Sequence, residues 1–203
     1  RIDNEEPALV AIPIWKAEGV EQTPVAHASG VPVSSLMFNE LEVPLGNVIA
    51  TGNEAIKAVE ELTAAGGVAR AVQLAGIGRA VVDATVEYTA NREQFGRPVG
   101  TFQAVQHHLA EMAIAAKQVN HLAYSAAWTF SKEGYSATAA AQAKIAASDK
   151  IAELCWTAHQ CHGAIGFTWE HDLHLYTRRA LAWKTDYGDS AFHKSKLATA
   201  IGL

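Results

Sequence analysis

With 203 residues, 49% of them hydrophobic and 18% charged, the chain has material for one globular domain, or one plus part of another, and lies far from the disordered classes. Sixteen Lys and Arg against 21 Asp and Glu leave a net charge of −5; this argues against a nucleic-acid partner, because phosphate recognition needs a concentrated basic face. No apolar run reaches the roughly 20 residues that cross a bilayer, since the most apolar window, Val68 to Val82, is broken by Arg70 and Arg79, and no membrane partner is expected.

The first six residues, Arg1 to Glu6, have no apolar core behind them and do not read as a secretory signal. Strands are predicted next. Leu9 to Trp15 is a short apolar run that Pro13 pushes toward an edge position. Gly19 to Ala28 and Ser34 to Val43 follow, separated by the turn-like Ser29-Gly30-Val31-Pro32. Within Leu36 to Val43 polar and apolar residues alternate as on a half-buried strand, and Pro44 ends it.

From about Asn53 the pattern is helical, with Asn53 as a candidate cap and Glu54 in the first turn. One apolar stripe passes through Val68, Val72, Ala75, Val82 and Val86, and a second through Ala71, Leu74, Val81 and Thr85. That much apolar surface predicts burial on several sides. After a break at Phe95-Gly96-Arg97-Pro98, a second helix runs from near Thr101, burying Phe102, Val105, Leu109, Met112, Ala116 and Val119. A third spans about Ser136 to Gly163, and shorter pieces occupy about 170–185 and 189–201. The fold class expected is mainly α. A partial β-domain over 1–50 precedes an antiparallel four-helix bundle over 51–203 that ends in a short helix. Three strands are too few for a sheet of their own, so a larger protein, or a subunit that completes its sheet elsewhere, is expected.

Cys155 and Cys161, six residues apart on one helix, lie about 240° apart around its axis, a poor disulfide geometry. A reducing compartment is expected: cytoplasm, or the mitochondrial matrix in a eukaryote. Cys155, His159, His162, Cys161, His171 and His174 are metal-capable types, but their spacing matches no compact zinc pattern, and no metal is expected. Gly76-Ile77-Gly78 lacks the strand and third glycine of a dinucleotide fingerprint and reads as close helix packing. No Gly-x-Ser-x-Gly elbow supports a hydrolase.

The richest stretch is Tyr88 to His107, which contains Arg92-Glu93-Gln94-Phe95-Gly96-Arg97-Pro98 and then Phe102-Gln103-Ala104-Val105-Gln106. It gathers polar groups and a helix N-terminus, a place that favours an anion, although a solvated helix-breaking turn would read the same. Arg-x-x-Phe-Gly-x-Pro followed by Phe-Gln-x-x-Gln resembles the helix–turn–helix motif of acyl-CoA dehydrogenases. Three further stretches resemble that family in the expected order: Phe38 to Ile49, Gln160-Cys161-His162-Gly163-Ala164-Ile165-Gly166-Phe167, and Arg178-Arg179-Ala180. Together they cover nearly the whole chain.

The resemblance implies an FAD-dependent oxidoreductase that removes an α-proton and a β-hydride from an acyl-CoA thioester and passes its electrons to an electron-transferring flavoprotein. It implies a homo- or hetero-oligomer, a tetramer, sharing FAD across an interface. Arg92 and Gln103 would reach the pyrophosphate and adenosine part of a flavin bound mainly by the neighbouring subunit, with Phe95 lining the same crevice. Gln160, Gly163 and Ala164 would pack beside the ADP portion, Ala164 standing where the family has a glycine.

The departures bear on catalysis. The family's usual glutamate base falls here on Tyr187, counted forward from Arg178, or on Gly188, if tyrosines are aligned. An alternative base position on the first long helix, counted back from Arg92, falls on Gly66, and the arginine usually beside it on Gly67. No catalytic residue is therefore assigned; Asp186 and Asp189 are the nearby acids, each with a plain alternative as a residue at a helix start. Three readings follow. One is a base-lacking subunit resembling those of bacterial steroid side-chain degradation, completed by a glutamate-bearing partner. The others are a flavin oxidase or monooxygenase of the same fold, and a non-catalytic assembly subunit.

Overall fold

The computed structural model describes residues 6–203, so the N-terminal stretch read above as lacking a signal lies mostly outside the described residues. Two compact units divide between Thr63 and Ala64, within the first long helix.

In the first unit β1 (Ala8–Val10) pairs antiparallel with β4 (Val48–Thr51), with an irregularity between Leu9 and Val10. β2 (Val20–Val25) pairs with β3 (Val33–Phe38) in an unbroken register from Val20↔Phe38 to Val25↔Val33. The turn between β2 and β3 is held by Ser29, whose hydroxyl accepts from Val31 N at 3.2 Å and lies 2.7 Å from His27 Nδ1. Three details differ from the sequence pattern. The run Leu9 to Trp15 is extended only as far as Val10, because Pro13 leads into a 3-10 turn at Ile14–Lys16. The predicted third strand stops at Phe38, and Glu40 adopts a positive φ of 48°. Strand β4, only four residues long, is too short to register in an apolar-periodicity reading.

Five helices follow: α1 (Gly52–Asn91), α2 (Gln103–Lys132), α3 (Ala137–His162), α4 (Leu173–Trp183) and α5 (Ser190–Ala200). Long alanine-rich segments with good helix propensity need only short punctuation. Gly134, at φ +87°, turns the chain between α2 and α3, and the Ser136 hydroxyl caps α3 by accepting from Ala139 N. The central helix is α3, which packs on α2, α4 and α5. Contacts from α1 to α3 advance in the same sense along both helices. Gly67 lies against the Lys144 side chain, Gly78 against Ile151, and Tyr88 against His162. Helices α1 and α3 therefore run parallel, with α2 antiparallel to both.

The second apolar stripe of α1 is the deep one: Ala71, Leu74, Val81 and Thr85 are all fully buried. Val86 is 46% exposed, contrary to the sequence reading, because the helix turns the first stripe obliquely out of the core at that end. In α2 the buried line is Met112, Val119, Ala123 and Ala126, while Phe102, Val105, Leu109 and Ala116 are half-buried. Thr85 and Thr89 meet the helix without orphaned hydroxyls, donating to Val81 O and Thr85 O.

The close-packing reading of Gly76-Ile77-Gly78 separates into two cases. Gly76 faces open space, whereas a Cβ on Gly78 would sit 2.6 Å from Ile151 Cδ1. Gly76→Ala is expected to raise stability by about 0.5–1 kcal/mol through helix propensity alone. Gly78→Ala is expected to lower it by about 1–2 kcal/mol, as overpacking against the buried Ile151 exceeds the same propensity gain. Urea denaturation of the two variants side by side reads the difference in sign.

Candidate functional site

Helix α1 ends at Asn91, and Arg92 O accepts from Val99 N at 2.8 Å, closing a miniature hairpin of Glu93–Gln94 and Arg97–Pro98. Its two turn residues, Phe95 at φ +55° and Gly96 at φ +77°, both occupy the left-handed region, as a primed two-residue turn requires. That backbone throws the Phe95 ring outward, 93% exposed, in edge contact with Phe102. The Arg97 guanidinium covers the Phe102 ring at 4.1 Å, which leaves Arg92 as the exposed cation on the α1 side of the turn. Gln103 opens α2, and Phe102 at the cap position offers no side-chain acceptor to the first N–H groups. An exposed, uncapped start to a 30-residue helix carries the dipole's positive end.

The second group sits at the end of α3. Gln160 is exposed on the last turn, Gly163 terminates the helix at φ +66°, and Ala164 opens the 3-10 turn Gly163–Phe167. Gly166, buried at the far side of this turn, is a requirement that single-residue reading misses. A Cβ there would lie 3.1 Å from His159 Nδ1 and 3.2 Å from Leu173 Cδ2, so a larger residue would have to push these buried side chains aside by a few tenths of an ångström. Tyr88 joins the two groups. One turn before Arg92, its ring stacks on His162 at 4.4 Å and its hydroxyl donates to His162 O. The structure thus places Arg92, Phe95 and Gln103, and Gln160, Gly163 and Ala164, at one end of the bundle. All six are exposed.

Beneath them lies a histidine layer. Thr177 donates its hydroxyl to Leu173 O and so accepts from His159 Nε2 at 2.8 Å, leaving the His159 Nδ1 lone pair buried without a partner. His162 Nδ1 donates to Ala158 O, leaving Nε2 in the same state. Aromatic rings fill the layer: His159 on Phe167 at 4.2 Å, His162 against His171 at 4.7 Å, and His174 against Trp169 at 4.9 Å. Among the described residues, no three metal-capable side chains are arranged around a metal. Burial pushes the Cys155 thiol up to about 12 and raises that of Cys161, so both are shifted away from the reactive thiolate.

The third group is the segment after α4. Lys144, fully buried on α3, donates from Nζ to Lys184 O at 2.8 Å, Gly188 O at 2.9 Å and Ser148 Oγ at 2.9 Å. Burial pulls its pKa down to about 8, against the opposing influence of Asp186 and Asp189. His193 Nε2 donates to Tyr187 O at 3.0 Å, and Arg70 Nε holds the Asp186 carboxylate at 2.8 Å. Asp189 accepts from Phe192 N at 2.8 Å and caps α5. Both acids near the family's base position are thus engaged in holding structure.

Burial lowers the pKa of His159, with His162, His171 and His174 adding to it, and burial lowers those of His162 and His193 as well. The unfolded chain takes up protons at these positions below about pH 6.5, whereas the fold resists protonating them. The unfolded state then binds more protons, so stability is expected to fall as pH drops through about 6.5 and to be insensitive to these groups at pH 7 to 7.5. A Tm series from pH 7.5 to 5.5 checks the sign, and NMR titrations of His159 and His162 with midpoints below that of a free imidazole check the cause.

The profile of the acyl-CoA dehydrogenase C-terminal domain matches residues 56–202. An acyl-CoA dehydrogenase of Mycobacterium tuberculosis, FadE34, is 36% identical over 159 residues, 74% of this chain and 22% of the relative. Another from that organism, IpdE2, is 36% identical over 110 residues, 54% of this chain and 33% of the relative. The solved complex of glutaryl-coenzyme A dehydrogenase with glutaryl-CoA superposes with a TM-score of 0.90 at 23% identity, over 96% of this chain and 50% of that one. The chain therefore spans from about a fifth to about half of the length of these proteins. With the profile, the identity to FadE34 and the superposition all in agreement, the chain belongs to the acyl-CoA dehydrogenase family and carries its C-terminal domain.

Proposed function

We propose that the chain is the flavin-clamping part of an FAD-dependent acyl-CoA dehydrogenase, working in an oligomer in which another chain provides the carboxylate base. The observation that carries this reading is the exposed ring of Arg92, Phe95, Gln103, Gln160, Gly163 and Ala164 at one end of the bundle, beside the uncapped start of α2. These groups fit the ADP part of FAD. Arg92 offers a planar fork for a pyrophosphate, the α2 N-terminus offers unpaired N–H groups, and Phe95 offers an open aromatic face. Gly163 and Ala164 present little side chain, so backbone can approach a phosphate closely. When bound, the flavin supplies the hydride acceptor for the substrate's β-carbon. The chain's own part is to hold and orient. Arg92 and Gln103 would grip the cofactor of a neighbouring subunit, in an oligomer of tetramer type that an electron-transferring flavoprotein reoxidises.

The proton-abstracting role is assigned elsewhere in the assembly. Neither Gly66 nor Tyr187 carries a carboxylate, Asp186 is paired with Arg70, and Asp189 is occupied as a cap. Redirecting either acid would break a contact that holds the segment in place. An acyl-CoA subunit of the kind found in steroid side-chain breakdown suits this division of labour. The Arg70–Asp186 pair and the Asp189 cap favour it over an enzyme that uses one of these acids as base.

Two measurements test the reading. Arg92→Ala in the assembled protein is expected to weaken flavin retention by about 1.5–3 kcal/mol, the value of one charge-assisted hydrogen bond. Unchanged flavin occupancy on gel filtration would remove Arg92 from the site. The homomer, reconstituted with FAD and assayed against a panel of acyl-CoA esters, is expected to show turnover reduced by about 10²–10⁴-fold or more, the usual contribution of a general base. A glutamate-bearing partner should restore it, and robust homomer turnover that disappears in Asp189→Asn would refute the division of labour.

A further inference from the structure

Gly66 and Tyr187, one on the family's alternative base position and the other, counted from Arg178, on its usual one, are far apart in sequence and touching in space. Gly66 is on α1 and Tyr187 is in the segment between α4 and α5. A Cβ built on Gly66 would overlap the Tyr187 ring at Cδ1 and Cε1 and would lie 2.7 Å from Cζ. Any residue other than glycine at 66 is therefore incompatible with Tyr187 where it stands. Gly67, the next residue, is different: a Cβ there would meet His193 Cε1 at 3.6 Å and Lys144 Cγ at 3.9 Å, ordinary contact that leaves room for a side-chain carbon.

The ring is held there by its backbone. Tyr187 sits at φ +57°, a region that bulky residues enter only when their surroundings over-determine it. The surroundings do so residue by residue. Arg70 holds Asp186, His193 holds the Tyr187 carbonyl, and Lys144 holds the carbonyls on either side, at Lys184 and Gly188. Half of the tyrosine's surface remains exposed, so the ring lies over Gly66 at the surface of the bundle and not in its core. A flexible surface tyrosine would need none of these restraints.

We propose that Tyr187 is a stopper: seated on the bare backbone of Gly66, its phenol ring occupies the space that the α-carbon of an acyl thioester needs, and this chain's own copy of the pocket excludes acyl-CoA. The proposal rests on the dehydrogenase reading above and adds to it a steric cause. A missing base would leave a pocket that binds substrate idly, whereas a stopper leaves one that does not bind it. Substrate is then directed to the pocket completed by a glutamate-bearing partner, and no thioester is sequestered in an unproductive site.

The test has two arms on the full chain in its assembled form. In the first, Gly66→Ala is expected to lower Tm by several degrees in the parent and to leave it level or higher in a Tyr187→Gly background, because the second change removes the ring that the new methyl would strike. In the second, calorimetry with octyl-CoA, a thioether that has no acidic α-proton, is expected to show at least tenfold tighter binding to Tyr187→Gly than to the parent. Equal binding by both proteins, or an equal cost of Gly66→Ala in both backgrounds, overturns the stopper. The calorimetry is run with and without FAD. Absence of flavin retention in the parent counts against the flavin site, while the octyl-CoA comparison on the flavin-free proteins still decides the stopper.

Discussion

Close approach of α1 to α3 is the constraint on which the bundle's geometry depends. Two of the positions where they meet are bare on the α1 side: Gly67 lies against Lys144 and Gly78 against Ile151. Helices that meet through such small residues have few side chains with which to set their register. Ile151 does so, its Cδ1 reaching into the gap that Gly78 leaves. With that register fixed, one end of the pair brings Tyr88 over His162, and the other brings Gly66 and Gly67 under the segment after α4. Both candidate chemical regions are consequences of one packing alignment. Interiors are close-packed and yield little, so a shift of either helix would move the two regions together.

The second determinant is a buried charge. Lys144 is enclosed among alanines, and an ammonium in that setting is tolerated only if every donor is matched. Its three donors meet three oxygens, of Ser148, Lys184 and Gly188. Lys184 follows the last turn of α4, where carbonyls are left without helical partners and the dipole is negative, so the cation answers two needs at once. The conformation of 184–188 is consequently dictated from α3, forty residues away in sequence, and not by local turn chemistry. Tyr187 in a left-handed conformation is the visible result.

How much of this was legible follows from the kind of signal each feature leaves. The helices and their breaks were readable because apolar periodicity and the Phe95-Gly96-Arg97-Pro98 and Gly163 punctuation are local in sequence. Which stripe of α1 is deeper was not, since Val82 and Ala71 look equally apolar until α2 and α3 are in place. The short strand Val48–Thr51 escaped notice because it exists through pairing with Ala8–Val10. The arginine, phenylalanine and glutamine of the candidate site were readable through resemblance, and their spacing also brought them together at one bundle end. Lys144 left no trace: a lysine among alanines on a long helix reads as a solvated residue, and only the tertiary fold buries it. The contact of Gly66 with Tyr187 lay equally beyond the sequence. Each position could be numbered as a departure from the family, yet nothing in the chain said that the two departures meet.

That meeting changes how the departures are understood. Two independent losses of a carboxylate would leave a cavity lined by small residues, and a cavity is costly in proportion to its volume. A tyrosine opposite a glycine covers that space from the solvent side, provided the backbone accepts a left-handed residue. Four side-chain contacts, from Arg70, His193 and Lys144, make that acceptance possible. The opposite end of the α1–α3 pair follows the reverse logic. There the histidine layer stiffens the frame from within, and the outer groups are left bare, with Phe95 at 93% and Trp169 at 81% exposure. Large aromatic surface left open above a rigid base is the condition of a surface awaiting a partner. On the proposed reading, the chain closes the place of the family's proton chemistry and stays open where it grips a flavin. A division of labour between subunits requires both properties, and one alignment of α1 on α3 supplies them together.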